Sequence, residues 1–389
     1  MTIKTDNWQT YKFGELARNL TVAVKDPLSE GYERYVGLEH IEPGNMHIKS
    51  WGNVENGTTF TRVFKKGQVL FGKRRAYQRK AALAEFDGVC SGDILVFEAN
   101  EDNVISELLP FIVQSDKFFD YAIKTSAGSL SPRTKFKDLA KLKFKLPPLS
   151  EQKRLADLLW SVDAVIEKYE DMLLSLLLLR SSVLKNIYTV KGAKSVSISD
   201  LPIKEINGMW KTENKNDVMY VSIIRSTEIQ SYGEITYDTA QRHKVKISQF
   251  KNKRLLNGDI IVERSGGGPD QPVGRVCYFD RTDGDYTFSN FTSVIRVVDK
   301  DQLIPKYLLN FLLFFYEMKG TDRLQKQTTG IRNLDYDLYR KTKIPLRSKK
   351  EQKKCVDICE RMNERRKDII HQILLNKTIQ KQLINQIFG

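Results

Sequence analysis

Two stretches of the chain carry apolar residues at alternating spacings of three and four, and the remainder alternates in short runs broken by Gly, Pro, Asn and Asp. From Ser150 onward, Leu155, Leu158, Val162, Val165, Tyr169, Met172, Leu176, Leu179 and Val183 fall on a heptad. That is the pattern of a coiled-coil seam. Ser150 stands as the N-cap behind Pro147 and Pro148, which cannot continue a helix backwards. A second run opens with Ser348-Lys349-Lys350-Glu351, a capping-box pattern. Its seam falls at Cys355, Ile358, Met362, Ile369, Ile373, Ile379, Leu383 and Ile387, interrupted by Arg365 and Arg366. Each run predicts a helix of about 36 residues, ~54 Å long at 1.5 Å per residue.

The two runs echo each other. Glu151-Gln152-Lys153 recurs as Glu351-Gln352-Lys353, each triplet following a Pro-containing stretch and preceding a helix that ends in Ile187-Tyr188 or Ile387-Phe388. Carried forward at that offset without a gap, Leu158 meets Ile358, Leu174 meets Leu374 and Ile187 meets Ile387. A repeat this long is two copies of one plan rather than a solenoid. In the globular parts, residues 35–38, 67–71 and 94–97 read as strands, matched by 220–223, 258–262 and 294–298. A helix follows in each half (108–124; 305–319), then a polar Gly-containing loop (125–129; 327–331). The expected fold is α+β: two similar α/β domains, residues 1–149 and 191–347, separated by two long antiparallel coiled-coil helices, 150–190 and 348–389, in a pseudo-twofold repeat. The alternative is that each helix packs on its own globular half.

Composition points to a polyanionic partner. The 389 residues hold 63 Lys+Arg against 48 Asp+Glu, a formal charge of +15, and the excess is spread over both halves. Four cysteines form no CxxC pair and only four histidines are present, so neither zinc nor any other metal site is expected. Cys355 and Cys359, one helical turn apart, read as small apolar packing residues. The first sixteen residues lack the apolar core of a signal peptide, and the Leu-rich run 172–179 is far shorter than the ~20 residues a membrane span needs. The expected setting is cytoplasmic.

Motifs for chemistry fail one by one. Residues 67–73 match GxxxxGK, but Arg74 stands where a magnesium-ligating Ser or Thr belongs, and Val69-Leu70-Phe71 is strand-like. Pro147-Pro148 lacks the flanking acid or Asn and the aromatic of an amino-methyltransferase motif. No Ser-His-Asp or Cys-His arrangement emerges. The expectation is a chain with no catalysis and no cofactor of its own.

Basic residues on strands and loops remain as candidate DNA contacts. In the first half they are Lys73, Arg74, Arg75, Tyr77, Arg79 and Lys80, then Arg133 and Lys135. In the second they are Arg242, His243, Lys244 and Lys246, then Arg264 and Ser265 beside a Gly-rich loop, then Gln325, Lys326, Gln327, Arg332 and Asn333. Arg and Lys suit guanine, Asn and Gln suit adenine, and Lys and Ser also hold phosphates. Any one of them is equally well read as a solvated loop residue; recurrence at matching places in both halves is what groups them.

The chain resembles the DNA-specificity subunits (HsdS) of type I restriction–modification systems over essentially its full length. The resemblance rests on Leu146-Pro147-Pro148-Leu149-Ser150-Glu151-Gln152-Lys153-Arg154 with its helix, on the echo at 344–352, and on Gly258-Asp259-Ile260-Ile261 leading to Val273-Gly274-Arg275-Val276. The second copy departs from the pattern, with Arg347 to Lys350 inserted before Glu351. Membership implies two target-recognition domains that read the halves of a bipartite duplex site. It implies helices that dock two modification subunits (HsdM), which carry S-adenosylmethionine, and restriction subunits (HsdR), which bring ATP and Mg. The seam residues named above would then form the subunit interface and coiled coil. A stand-alone DNA-binding regulator, a coiled-coil adaptor without DNA binding, and the specificity chain of a fused system of another type remain open on the sequence.

Overall fold

The heptad runs become two 40-residue helices, a central one (Leu149–Tyr188) and a C-terminal one (Lys349–Phe388). The computed structural model describes residues 7–189, 194–213, 216–268, 271–328 and 331–389. It divides the chain into two units, residues 1–171 with 369–389, and residues 172–368. Each long helix is therefore shared between the units rather than standing apart from them.

In the first unit, β-branched and aromatic runs form a four-stranded antiparallel sheet in the order Ala17–Leu20, Ile94–Ala99, Val69–Gly72, Ala81–Leu83. A second sheet pairs Arg34–Val36 in parallel with Gly88–Cys90. Gln9–Lys12 pairs antiparallel with Lys143–Leu146, just before the central helix. The second unit repeats this plan. Its four-stranded antiparallel sheet runs Ile203–Asn207, Thr292–Val297, Ile260–Glu263, Val276–Tyr278. Val218–Ile224 pairs in parallel with Tyr286–Phe288, and Ser195–Ser197 pairs antiparallel with Lys343–Pro345.

The expected helix over 108–124 is two helices, Leu109–Gln114 and Asp116–Lys124. Ser115 breaks it: its backbone is extended and its hydroxyl caps the second helix by accepting from Phe118 N. Its counterpart, Pro305–Glu317, is continuous.

The repeated Glu-Gln-Lys triplet has a physical cause. Gln152 is buried; its Oε1 accepts from Ile105 N (3.1 Å), and its Nε2 donates to Asn103 O (2.9 Å) and Pro147 O (3.1 Å). Gln352 does the same, accepting from Ile304 N (2.9 Å) and donating to Gln302 O (2.8 Å) and Arg347 O (2.9 Å). Each glutamine ties the start of a long helix to the chain that enters the preceding helix. A buried side-chain amide that satisfies three backbone groups tolerates no isostere.

Within each unit the helix segments run antiparallel. In the first, Gln380 Nε2 donates to Asp163 Oδ1 (2.8 Å) and Lys377 pairs with Glu170 (2.7 Å). In the second, Arg365 lies against Met172, and Arg347 donates to Ile187 O. The same segments also pack on the globular part of their own unit. Ala156, Leu159, Ile384, Ile387 and Phe388 join the Phe-rich core around Phe111 and Phe118. Leu184, Tyr188, Cys355, Val356 and Cys359 join the core around Tyr307 and Phe311. Pairing with each other and packing on the own half, set out above as alternatives, coexist.

In the central helix the seam is displaced by one residue. The buried stripe of the central helix is Gln152, Ala156, Leu159, Asp163, Ile166, Arg180, Leu184 and Tyr188. Of the expected seam, Val165 and Met172 are 39% and 42% exposed, and Leu155, Leu158, Val162, Tyr169 and Leu176 are only half-buried. In the C-terminal helix Cys355, Ile369, Ile373 and Ile387 are buried as expected, Ile358, Met362 and Leu383 are half-buried, and Ile379 is exposed. The purely apolar heptad of the central helix is one residue out of phase because the true stripe carries charged and amide groups, each buried with a partner; the C-terminal helix carries buried polar groups of the same kind. Asp163 Oδ2 meets His47 Nε2 at 2.6 Å, and His47 Nδ1 meets Glu85 at 2.8 Å. Arg180 forks onto both oxygens of Glu317 (2.7 and 2.8 Å), and Arg366 binds Glu234 (2.6 Å). Tyr232 lies between those two guanidinium groups, at 5.1 and 4.1 Å.

Candidate nucleic-acid interface

In each unit a group of the basic candidates lies where chain leaves a central strand of the four-stranded sheet; Arg242 to Lys246 lie elsewhere, on an edge strand of another sheet. In the first unit, strand Val69–Gly72 exits into residues 73–80. Lys73 N donates to Asp93 O (2.9 Å), and Arg75 N donates to Pro132 O (2.8 Å). The latter bond docks the loop formed by 127–133, which closes on itself through Ala127 and Arg133. Asp93 organises the cations: Arg74 reaches it at 3.4 Å and Arg133 Nε at 2.8 Å. The hydrogen bond from Arg133 holds the Asp93 carboxyl below the usual range. Burial, then the nearby Arg62, lowers the ammonium pKa of Lys73.

The tract is not uniformly presented. Arg79 pairs with Asp116 and lies 4.6 Å over the Phe119 ring, and Lys80 donates to Leu38 O (2.6 Å). Both serve the fold. Arg75 and Arg79 bracket a 3₁₀ turn, Ala76–Gln78, with both residues left-handed (φ 53° and 55°). Non-glycine residues in that region are uncommon and cluster at functional sites. The turn presents Tyr77, which is exposed, as is Lys135 beyond the docked loop.

In the second unit, strand Ile260–Glu263 exits into 264–268, and Arg264 N donates to Phe291 O (2.8 Å), the counterpart of the Lys73–Asp93 bond. The Arg264 guanidinium lies 4.0 Å over Tyr336 and donates to Asn207 (3.1 Å). Ser265–Gly267 pairs with a hairpin, Gln325–Thr328 with Ile331–Leu334, so Ser265, Arg332 and Asn333 share one small sheet. Ser265 Oγ donates to Asn333 Oδ1 (2.5 Å). Gln325 is structural: it accepts from Val273 N and donates to Val273 O and Thr321 O. Lys326 pairs with Asp335 (2.7 Å). The side chain of Gln327 lies outside the described residues. Arg242, His243, Lys244 and Lys246 sit on an edge strand, Arg242–Lys246, antiparallel to Val218–Ile224. Arg242 donates to Tyr220 O and Lys244 lies 5.8 Å over the Tyr220 ring. Charge along an edge strand also discourages pairing with foreign strands.

Sequence reasoning missed Asp93, which determines how Arg74 and Arg133 are held, and the exposed pair Trp210 and Phe291 beside Arg264. A lone tryptophan followed by Lys211 in a loop was the available signal. Among the described residues no group of His, Cys, Asp or Glu is placed to hold a metal ion, and no helix is long and apolar enough to cross a membrane.

A family model described as the type I restriction modification DNA specificity domain matches residues 5–173 and again 191–380. The specificity subunit of the Escherichia coli type I restriction enzyme EcoDI is 26% identical over 54% of this chain, an alignment that spans 44% of that protein's length. The MjaVIII specificity subunit of Methanocaldococcus jannaschii is 21% identical over 97% of this chain and 89% of its own. The crystal structure of the S subunit of a type I restriction–modification system from M. genitalium shares the fold, with a TM-score of 0.57, 12% identity, and coverage of 100% of this chain and 99% of that one. With the domain model matching twice and taking in most of the sequence, the chain belongs to the family of DNA-specificity subunits of type I restriction–modification systems.

Proposed function

We propose that each unit reads one half of a bipartite duplex site, and that the chain supplies sequence choice while partner modification and restriction subunits supply the chemistry. The observation that carries this reading is a shared scaffold with divergent side chains. Both units launch a loop from the same strand of the same sheet and anchor it by the same backbone bond, Lys73 to Asp93 and Arg264 to Phe291. At one loop Arg74 meets Asp93 and Arg133, brought in from two other segments, and the other loop places an arginine among aromatics and a polar hairpin. Two readers of different sequences need that combination.

On this reading the chain has no catalytic centre, and S-adenosylmethionine, ATP and Mg belong to the partners. The uncovered apolar residues of the long helices, Leu174, Leu178 and Leu179 in the second unit and Leu374 and Leu375 in the first, are the surfaces offered to modification subunits. The test is selection of bound duplexes from a library with randomised half-sites, using the chain assembled with its modification subunits. Arg264→Ala is expected to relax preference at one half-site by roughly 1–3 kcal/mol and leave the other unchanged. Equal loss at both halves, or methylation by the purified chain alone, would overturn the reading.

A further inference from the structure

Beside Arg264 the second unit exposes two aromatic rings that touch each other, where the first has Asp93 at the place of Phe291. Trp210 is 60% and Phe291 38% exposed, and their rings meet edge to face at 5.4 Å and 76°. The backbone on either side of each ring is tied down, and the rings brace each other. Met209 is buried and its N donates to Phe288 O (3.1 Å); Thr212 N donates to Lys244 O (2.9 Å). Phe291 sits on a tight turn in which Thr292 N and Oγ1 both donate to Ser289 O. Its own carbonyl receives Arg264 N at 2.8 Å.

The two loops come together because Gly208 has no side chain; a Cβ there would lie 1.8 Å from Ser289 O. In the first unit the residue equivalent to Phe291 is Asp93, which pairs with Arg74 and Arg133. The scaffold therefore folds with an acid at this place, and the aromatic is a choice of the second unit alone. Arg264, whose amide binds the Phe291 carbonyl, and Lys211, exposed next to Trp210 in the chain, are cationic, which matches the pair to a polyanion rather than to an apolar protein face.

We propose that Trp210, braced by Phe291, is an apolar wedge with which the second unit enters the duplex, partly unstacking one base step of its half-site. This rests on the reading of the chain as a DNA-specificity subunit. Side chains of this type, set among phosphate-binding cations, kink DNA where they insert. The deformation is cheapest at flexible pyrimidine–purine steps, so the wedge adds sequence preference without a hydrogen bond to any base.

The test uses the chain assembled with its modification subunits and duplexes carrying the selected site, with 2-aminopurine placed in turn at each position. Wild type should raise emission at one step of one half-site. Trp210→Ala should abolish that rise and weaken site affinity by about 5- to 150-fold, the range for losing one aromatic–base contact, with affinity for unrelated duplex unchanged. Trp210→Phe should keep most of both signals, and Phe291→Ala should lower both while Trp210 remains. Site affinity or a 2-aminopurine signal indifferent to Trp210→Ala overturns the wedge, as does a loss confined to assembly with modification subunits. A wild-type assembly that selects no sequence removes the reading of the chain itself; specific binding without the Trp210 effects removes only the wedge.

Discussion

Gln152→Leu removes three hydrogen bonds at a place that water cannot reach. The leucine fills about the same space but leaves Ile105 N–H and the carbonyls of Asn103 and Pro147 without their partner. Each buried backbone group so orphaned costs about 1–3 kcal/mol. The three groups together cost about 3–9 kcal/mol; the apolar side chain returns about 1.5–3 kcal/mol by burial, so a net loss of about 1.5–6 kcal/mol is expected. That is a large share of the 5–15 kcal/mol by which domains are typically stable. Gln152→Glu should be worse, because it keeps the acceptor, loses both donors and buries a charge. The assay is urea unfolding together with amide exchange. Gln152→Leu should expose the Ile105 amide and spare that of Ile304, and Gln352→Leu should do the reverse. A cost below 1 kcal/mol, or equal exposure of both amides in either variant, would refute the claim that each glutamine clamps its own unit.

The other expectations concern charge, register and length. The hydrogen bond to Asp163, opposed by burial and helped by Glu85, raises the His47 pKa from 6.5 to about 9. Its stabilisation is full below pH 6.5 and is lost as pH rises through about 9, a total of about 3 kcal/mol by linkage; His47→Gln should flatten unfolding free energy against pH in that window, and an unchanged slope would sink the assignment. Ile166→Ala should cost about 2–5 kcal/mol and Val165→Ala within about 0.5 kcal/mol; the reverse order would restore the apolar heptad as the seam. Adding one heptad to each long helix, after Met172 and after Gln372, keeps seam phase and adds ~10.5 Å of helix, about three base pairs at 3.4 Å each. On the proposed function the surviving site should carry a longer gap between unchanged half-sites, and preference for the original gap would show that the helices do not measure DNA.

The repeat, its order of elements and the start of the C-terminal helix behind Ser348 were legible along the chain because they are written in local terms; Ser150 is not the N-cap its position suggests, since the central helix already begins at Leu149 behind Pro148. A cap, a period and a recurring triplet need no knowledge of distant residues, and Gln152 and Gln352 turn out to bind matching backbone groups. The basic loops were legible for the same reason: they leave recognisable strands at matching places. Three features depended on tertiary structure. The seam of the central helix lies one residue from the apolar heptad because Asp163 and Arg180 are acceptable inside only where His47, Gln380 and Glu317 meet them, and those partners lie between 100 and more than 200 positions away. The helix over 108–124 breaks because Ser115 caps rather than continues it. Lys80 and Arg79 look like DNA contacts in a charge count, yet a carbonyl from 42 positions earlier and a carboxylate 37 positions later hold them. Charge is additive along a sequence, but which charges remain for a partner is decided by neighbours that only folding brings together.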